Sequence, residues 1–158
     1  MIEENLYKAP QSDLAYEKDS QEIVYAGFWI RLGASFIDSV ISALITLPLL
    51  HLIYGKDFWL SESFIYGAWD FIISYILPAV AIVLFWIFKS ATPGKMMLGL
   101  KVISLGETQK LTVSQSIIRY LGYFLSAIGL MIGFIWVAFD KRKQGWHDKL
   151  SNTSVIKK

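Results

Sequence analysis

Three long stretches with almost no charge dictate what this chain can become. Leu32 to Leu50 carries one charged residue, Asp38, while Phe71 to Phe88 and Tyr120 to Phe139 carry none. A helix rises about 1.5 Å per residue, so roughly 20 residues cross a hydrocarbon core about 30 Å thick. Each stretch reaches that length with its flanks. Apolar residues make up 54% of the chain, and gathered into blocks they outrun the polar surface available to cover them in water. The expected fold class is an all-α integral membrane protein.

The chain divides into an acidic tail (1–24), a span (about 27–53), a loop (54–64), a second span (about 65–89), a polar stretch (90–112), a third apolar segment (113–139) and a basic tail (140–158). The first 26 residues hold Glu3, Glu4, Asp13, Glu17, Asp19 and Glu22 against Lys8 and Lys18, so they lack the basic leader of a cleaved secretory signal. There is no cysteine, which excludes disulfides, thiolate catalysis and thiolate metal sites. A formal net charge of +2 gives no reason to expect a nucleic-acid partner. The bilayer itself is the first partner implied.

Lys and Arg set the orientation. The loop between the first two spans has only Lys56, whereas the next stretch holds Lys89, Lys95, Lys101, Lys110 and Arg119, which places it and the amino terminus in the cytoplasm of a bacterial-type inner membrane. Trp59, Tyr66 and Trp69 then form the outer aromatic belt, with Phe28, Trp29 and Trp86 toward the inner face. Lys141, Arg142, Lys143, Lys149, Lys157 and Lys158 require the carboxyl terminus to lie on the same side. Two further crossings need about 40 residues. Segment 113–139 offers 27, so it is expected to be bent or re-entrant, dipping in and returning.

Within it Gly122, Ser126, Gly129 and Gly133 are spaced 4, 3 and 4, one helical face suited to close approach and a candidate contact in a homo-oligomer. Pro48 and Pro78 each remove a helical hydrogen bond, and a kink is expected at either. Lys101 to Ser104 and Leu111 to Val113 flank Gly106 and suggest a small cytoplasmic β-hairpin, to which Thr153 to Ile156 adds a strand.

Asp38 is the most informative single residue. A carboxylate deep in a span costs roughly 2.5 to 3.5 kcal/mol, and the 12 Leu, Ile, Phe and Val residues from Leu32 to Ile53 return roughly 4 to 7 kcal/mol. Arg31, Ser35, Asp38, Ser42 and Thr46 recur at helical spacing with Ser39 beside them, a polar stripe that must face protein or water. Arg31 and Asp38 are seven residues apart, about 10 Å along the axis, too far for a tight pair. Asp38 is read either as half of a structural salt bridge, with Arg119 or a basic tail residue, or as a proton or ion site.

Asp70 and His51 are expected at the outer interface. His147 and Asp148 adjoin in the tail, and two histidines in the whole chain give no basis for a metal site. Thr92-Pro93-Gly94-Lys95 lacks the upstream glycine and following Ser or Thr of a phosphate loop and is read as the turn leaving the second span. No nucleophile, base and orienting group stand at a recognisable spacing, so neither an enzyme nor a cofactor is expected.

These residues together resemble the RDD family of membrane proteins, named for an arginine and two aspartates. The likeness covers most of 25–156, taken as the membrane domain. Arg31 and Asp38, in Arg31-Leu-Gly-Ala-Ser-Phe-Ile-Asp38, match the family's arginine and first aspartate; Asp148 matches the second in preference to Asp140. Thr92 to Lys95, Gly99 to Val102, Arg119, Gln144 to Asp148 and Asn152 to Val155 fit the same pattern. The leader residues Asn5, Tyr7, Ala9, Pro10 and Leu14 look like those of small bacterial membrane proteins. The resemblance implies a membrane location and a suspected role in transport, with sodium/proton exchange proposed for some members.

Two functions follow as expectations. One is a non-catalytic membrane component that binds partners or organises envelope proteins, its tail fixed to the spans by Arg31, Asp38, Arg119 and Asp148, with Ser35, Ser42 and His147 in support. The other is an oligomeric ion transporter built on Asp38, whose pKa Arg31 would lower.

Overall fold

The first apolar stretch forms helix α1, Phe28–Tyr54, 27 residues with Pro48 inside an unbroken helix. It stops at Gly55, whose φ of 66° is open to glycine and whose N–H closes on His51 O. The computed structural model describes residues 23–106, 110–129 and 131–158; the acidic tail to residue 22, with its leader motif, lies outside them. A single turn, α2 (Asp57–Leu60), precedes α3, which runs from Ala68 to Lys89. Within α3 the turn Ile72–Ile76 is π-helical and ends two residues before Pro78. Proline has no N–H for the carbonyl four residues back, and the widened turn accommodates that break.

Both α1 and α3 are long and apolar enough to cross a membrane. Their outer surfaces are apolar and uncovered: Leu44, Leu52, Val80 and Leu84 among others stay exposed. Surface of that extent and kind is what lipid covers.

After α3, Ser90 adopts a left-handed conformation and the chain turns into the short helix α4 (Pro93–Met97), then strand β1 (Leu100–Ser104). Helix α5 (Val113–Ile128) starts at a capping box, in which Gln115 N–H donates to Thr112 Oγ1 and Thr112 N–H to Gln115 Oε1. Leu111 to Val113 is therefore a helix entrance, not the second arm of a hairpin. Strand β1 pairs antiparallel with β2 (Thr153–Lys157), Val102 opposite Val155. The other edge of β2 takes the amino-terminal flank through Ala26 N–H to Val155 O and Lys157 N–H to Val24 O.

This pairing decides the course of the third apolar segment. It consists of α5 and α6 (Ile132–Phe139), bent by 100°. Strand β1 precedes it and β2 follows it, yet the two share a hydrogen-bond ladder with strands about 5 Å apart. A full crossing would separate them by about 30 Å. The segment therefore enters and returns, and the flank at 24–26, the 90–104 stretch and the tail from 144 onward form one lobe on one face of the membrane.

The small-residue face has a use other than the expected oligomer contact. A Cβ on Gly122 would stand 2.8 Å from His147 Cα, one on Gly129 2.9 Å from the Trp146 ring, and one on Gly133 2.7 Å from Ser126 Cβ. These residues let α7 (Trp146–Leu150) and the two arms of the bend pack within the chain. Trp86, expected in the inner belt, is instead fully buried in a core with Ala26, Ala34, Leu100, Val102 and Val155. Asp70, expected at the outer interface, is buried within the chain, accepting from Tyr66 N–H at 2.9 Å and Ser74 Oγ at 2.8 Å.

Candidate functional site: a buried Arg–Asp–Arg bridge

Asp148 sits in the first turn of α7, where one of its oxygens accepts the Gly145 N–H at 3.0 Å. Close seating on Gly122 drives that turn against α5 and leaves the carboxylate with no exposure. Two arginines meet it there. Arg31 Nη1, from the first turn of α1, is 2.5 Å from Oδ2, and Arg119 Nη1, from the middle of α5, is 2.5 Å from Oδ1. Arg31 also donates through Nε to Ala26 O at 2.9 Å and through Nη2 to Lys143 O, and Arg119 donates to Thr153 Oγ1 at 2.5 Å. One carboxylate thus joins the first span, the re-entrant segment and the tail.

Charge this deep needs its partners, since breaking one side of a buried pair typically costs about 3 to 5 kcal/mol. Burial alone would push the Asp148 carboxyl up, but Arg119, Arg31 and the Gly145 amide outweigh it and hold the group well below the usual carboxylate range. His147 lies between Tyr123, with ring centroids 4.3 Å apart, and Phe134, at 5.3 Å. Burial, followed by the positive field of Arg119, Lys95 and Arg31, pushes its pKa down to about 3, against the opposing pull of Asp148. The imidazole is neutral at neutral pH.

Asp38 does not join this bridge and does not meet Arg119 or a tail cation. Its oxygens accept Thr92 Oγ1 at 2.5 Å and Gly94 N–H at 2.6 Å. A carboxylate of α1 therefore caps the first turn of α4, where free N–H groups and the helix dipole both favour negative charge. Gly94 is required by proximity, because a Cβ there would run into Ala34 O and stand 2.9 Å from Asp38 Cγ. Asp140, the other possible second aspartate, pairs with Lys149 at 2.5 Å on the lobe surface.

Two neighbouring cavities share Ser35, Lys95 and Tyr123, and one of them borders the bridge. One, about 460 Å³, is lined by Ser35, Asp38, Ser39, Ser42 and Thr46, so the polar stripe of α1 faces a shared space. The other, about 490 Å³, has Arg31, Arg119 and Lys95 at its floor and Phe28, Leu32, Phe134 and Ile135 among its walls. Among the described residues no cluster of three or more His, Asp or Glu could hold a metal ion. Sequence reasoning missed Lys95, buried with its Nζ 5.7 Å from the Trp86 ring centre, and Thr153; both lay in motifs already singled out, but burial has no local sequence signal.

Two spans, a re-entrant helix pair and a lobe pinned by an arginine–aspartate bridge define a polytopic membrane protein. The model of the RDD family matches residues 25–152, and the chain belongs to that family. Its relatives include two Bacillus subtilis (strain 168) proteins. The uncharacterised protein YxaI is 34% identical over 149 residues, covering 84% of this chain and 97% of the relative. The uncharacterised membrane protein YteJ is 32% identical over 162 residues, covering 98% and 92%. No solved structure matches the chain.

Proposed function

We propose that the chain is a non-catalytic component of a bacterial inner membrane, with its lobe and both termini on the cytoplasmic side, that works by presenting the lobe to other membrane proteins. The observation that carries this reading is the bridge of Arg31 and Arg119 on Asp148, which spends the buried charges on fixing the tail. Lys and Arg crowd the lobe side while the opposite loop has only Lys56, which supports the orientation. Photo-crosslinkers at exposed lobe positions Lys141 and Asn152 test it in intact membranes. The expected result is a discrete protein adduct, either a second copy or another membrane protein, that Asp148→Asn removes; no adduct at either position would refute it.

A second reading, ion transport, is favoured by one observation, the cavity that Asp38 shares with Ser35, Ser39, Ser42 and Thr46. Asparagine keeps an acceptor for Gly94 and cannot cycle a proton. Proton- or sodium-driven flux in proteoliposomes that Asp38→Asn abolishes, with the protein still inserted, would replace the first reading with this one.

A further inference from the structure

The 490 Å³ cavity has a charge imbalance the bridge does not resolve. Three cations, Arg31, Arg119 and Lys95, reach its lining, and among the described residues Asp148 is the one carboxylate paired with any of the three. Asp38 faces the neighbouring 460 Å³ cavity, which Lys95 also lines, but its two oxygens are engaged by Thr92 and Gly94 and it forms no ion pair with Lys95. His147 is neutral. Lys95 is 5% exposed, and among the described residues no carboxylate lies within 4 Å of its Nζ and no acceptor bonds it. Arg119 Nε and Nη2 are buried without an aligned hydrogen-bond acceptor; the groups beside the guanidinium are the Tyr123 hydroxyl and Asp148 Oδ1. Buried donors without acceptors are costly, and those of charged groups more so. The arrangement leaves room for a missing anion.

The walls say what kind of anion. Leu32, Met131 and Ile135 line the cavity and are themselves exposed on the apolar surface between α1 and the re-entrant α6. In a bilayer such a mouth opens sideways to lipid. Arg31 is three residues into α1, about 4.5 Å along the axis from its start, so the cationic floor lies close to headgroup depth on the lobe side. Apolar walls above a basic floor between membrane helices fit an acidic headgroup with its chain attached. A zwitterionic choline headgroup would bring a fourth cation to the floor.

We propose that this cavity binds one anionic phospholipid, its phosphate on Lys95 and Arg119 and an acyl chain between Leu32 and Ile135. The proposal goes beyond the function proposed above and holds whether or not the lobe binds a protein. Lys95 takes no part in the bridge, so Lys95→Met removes ligand charge while leaving Arg31–Asp148–Arg119 in place. Ile135→Trp fills the mouth and leaves the floor unchanged.

Native mass spectrometry of the full chain in mild detergent, titrated with phosphatidylglycerol, with phosphatidylcholine of the same chains and with inorganic phosphate, tests this. One phosphatidylglycerol is expected to bind at least about tenfold more tightly than phosphatidylcholine. Lys95→Met should weaken it about five- to tenfold, the order expected for one cation at a headgroup, with Lys95→Arg retaining it. Ile135→Trp should weaken it as well, and hydrogen exchange of 153–157 should stay at the wild-type level in both variants. Equal binding of the two lipids by the wild-type chain would overturn the proposal, even if a variant failed to fold. So would displacement by inorganic phosphate together with full binding by Ile135→Trp, which would mark a free-anion site.

Discussion

Asp148→Asn should release the tail from the spans without removing the chain from the membrane. Asparagine matches aspartate in size and keeps an oxygen for the Gly145 N–H, so the first turn of α7 retains its cap and the change isolates charge. What remains is Arg31 and Arg119, 8% and 0% exposed, facing a neutral amide. Leaving a buried charge unpaired costs about 3 to 5 kcal/mol, equivalent to a roughly 200- to 5,000-fold rise in the opening constant of the lobe. Hydrogen exchange by mass spectrometry on 153–157 reads that constant, because Lys157 N–H is held by Val24 O and the strand is shielded on both edges. Exchange within α1 and α3 should change far less. The triple variant Arg31→Met, Asp148→Leu, Arg119→Met, apolar and similar in volume, should recover much of the protection. Exchange of 153–157 that stays within about tenfold of wild type in Asp148→Asn would refute the claim that the bridge holds the tail.

Gly94→Ala should loosen α4 from α1 by about 1 to 3 kcal/mol, since the added methyl meets backbone at Ala34, and exchange of 93–98 should rise while that of 153–157 rises less. Acidification should loosen the lobe: the folded His147 value of about 3 lies below the unfolded value near 6.5, so stability is full above pH 6.5 and falls as pH drops toward 3. By pH 5 the loss is about 2 kcal/mol, seen as exchange beyond the intrinsic rate change, and His147→Phe should flatten it; Asp148, also depressed, adds a loss in the same direction only at still lower pH. In this cysteine-free chain Lys101→Cys with Ile156→Cys, opposed in the ladder, should form a disulfide under mild oxidant in membranes. A full crossing by 113–139 would prevent that link.

Much of the architecture was legible because membranes leave few options. Uncharged length specifies a span, and two basic stretches around a segment too short for two crossings specify a return. The strand partner was not legible. Leu100–Ser104 lies close in sequence to 111–113, and local reasoning favours the near partner, whereas the actual partner begins at Thr153, across the whole re-entrant segment. The glycine spacing at 122–133 was visible but its use was not, because a sequence pattern for close approach does not say whether the approaching surface belongs to another copy or to α7.

The two signature residues of α1 show the same division. Seven residues place Arg31 and Asp38 two turns apart on one face, and that spacing was enough to see that they could not pair tightly. It could not assign partners, which come from segments more than 50 residues away. Arg31 reaches Asp148 of the tail, and Asp38 reaches Thr92 and Gly94 at the head of α4. Each residue docks a different segment, so the stripe on α1 acts as a common edge to which both halves of the lobe are fixed. A carboxylate moved one turn toward Arg31, to position 35, would satisfy the arginine locally, leave Asp148 with Arg119 alone and leave the head of α4 without its cap.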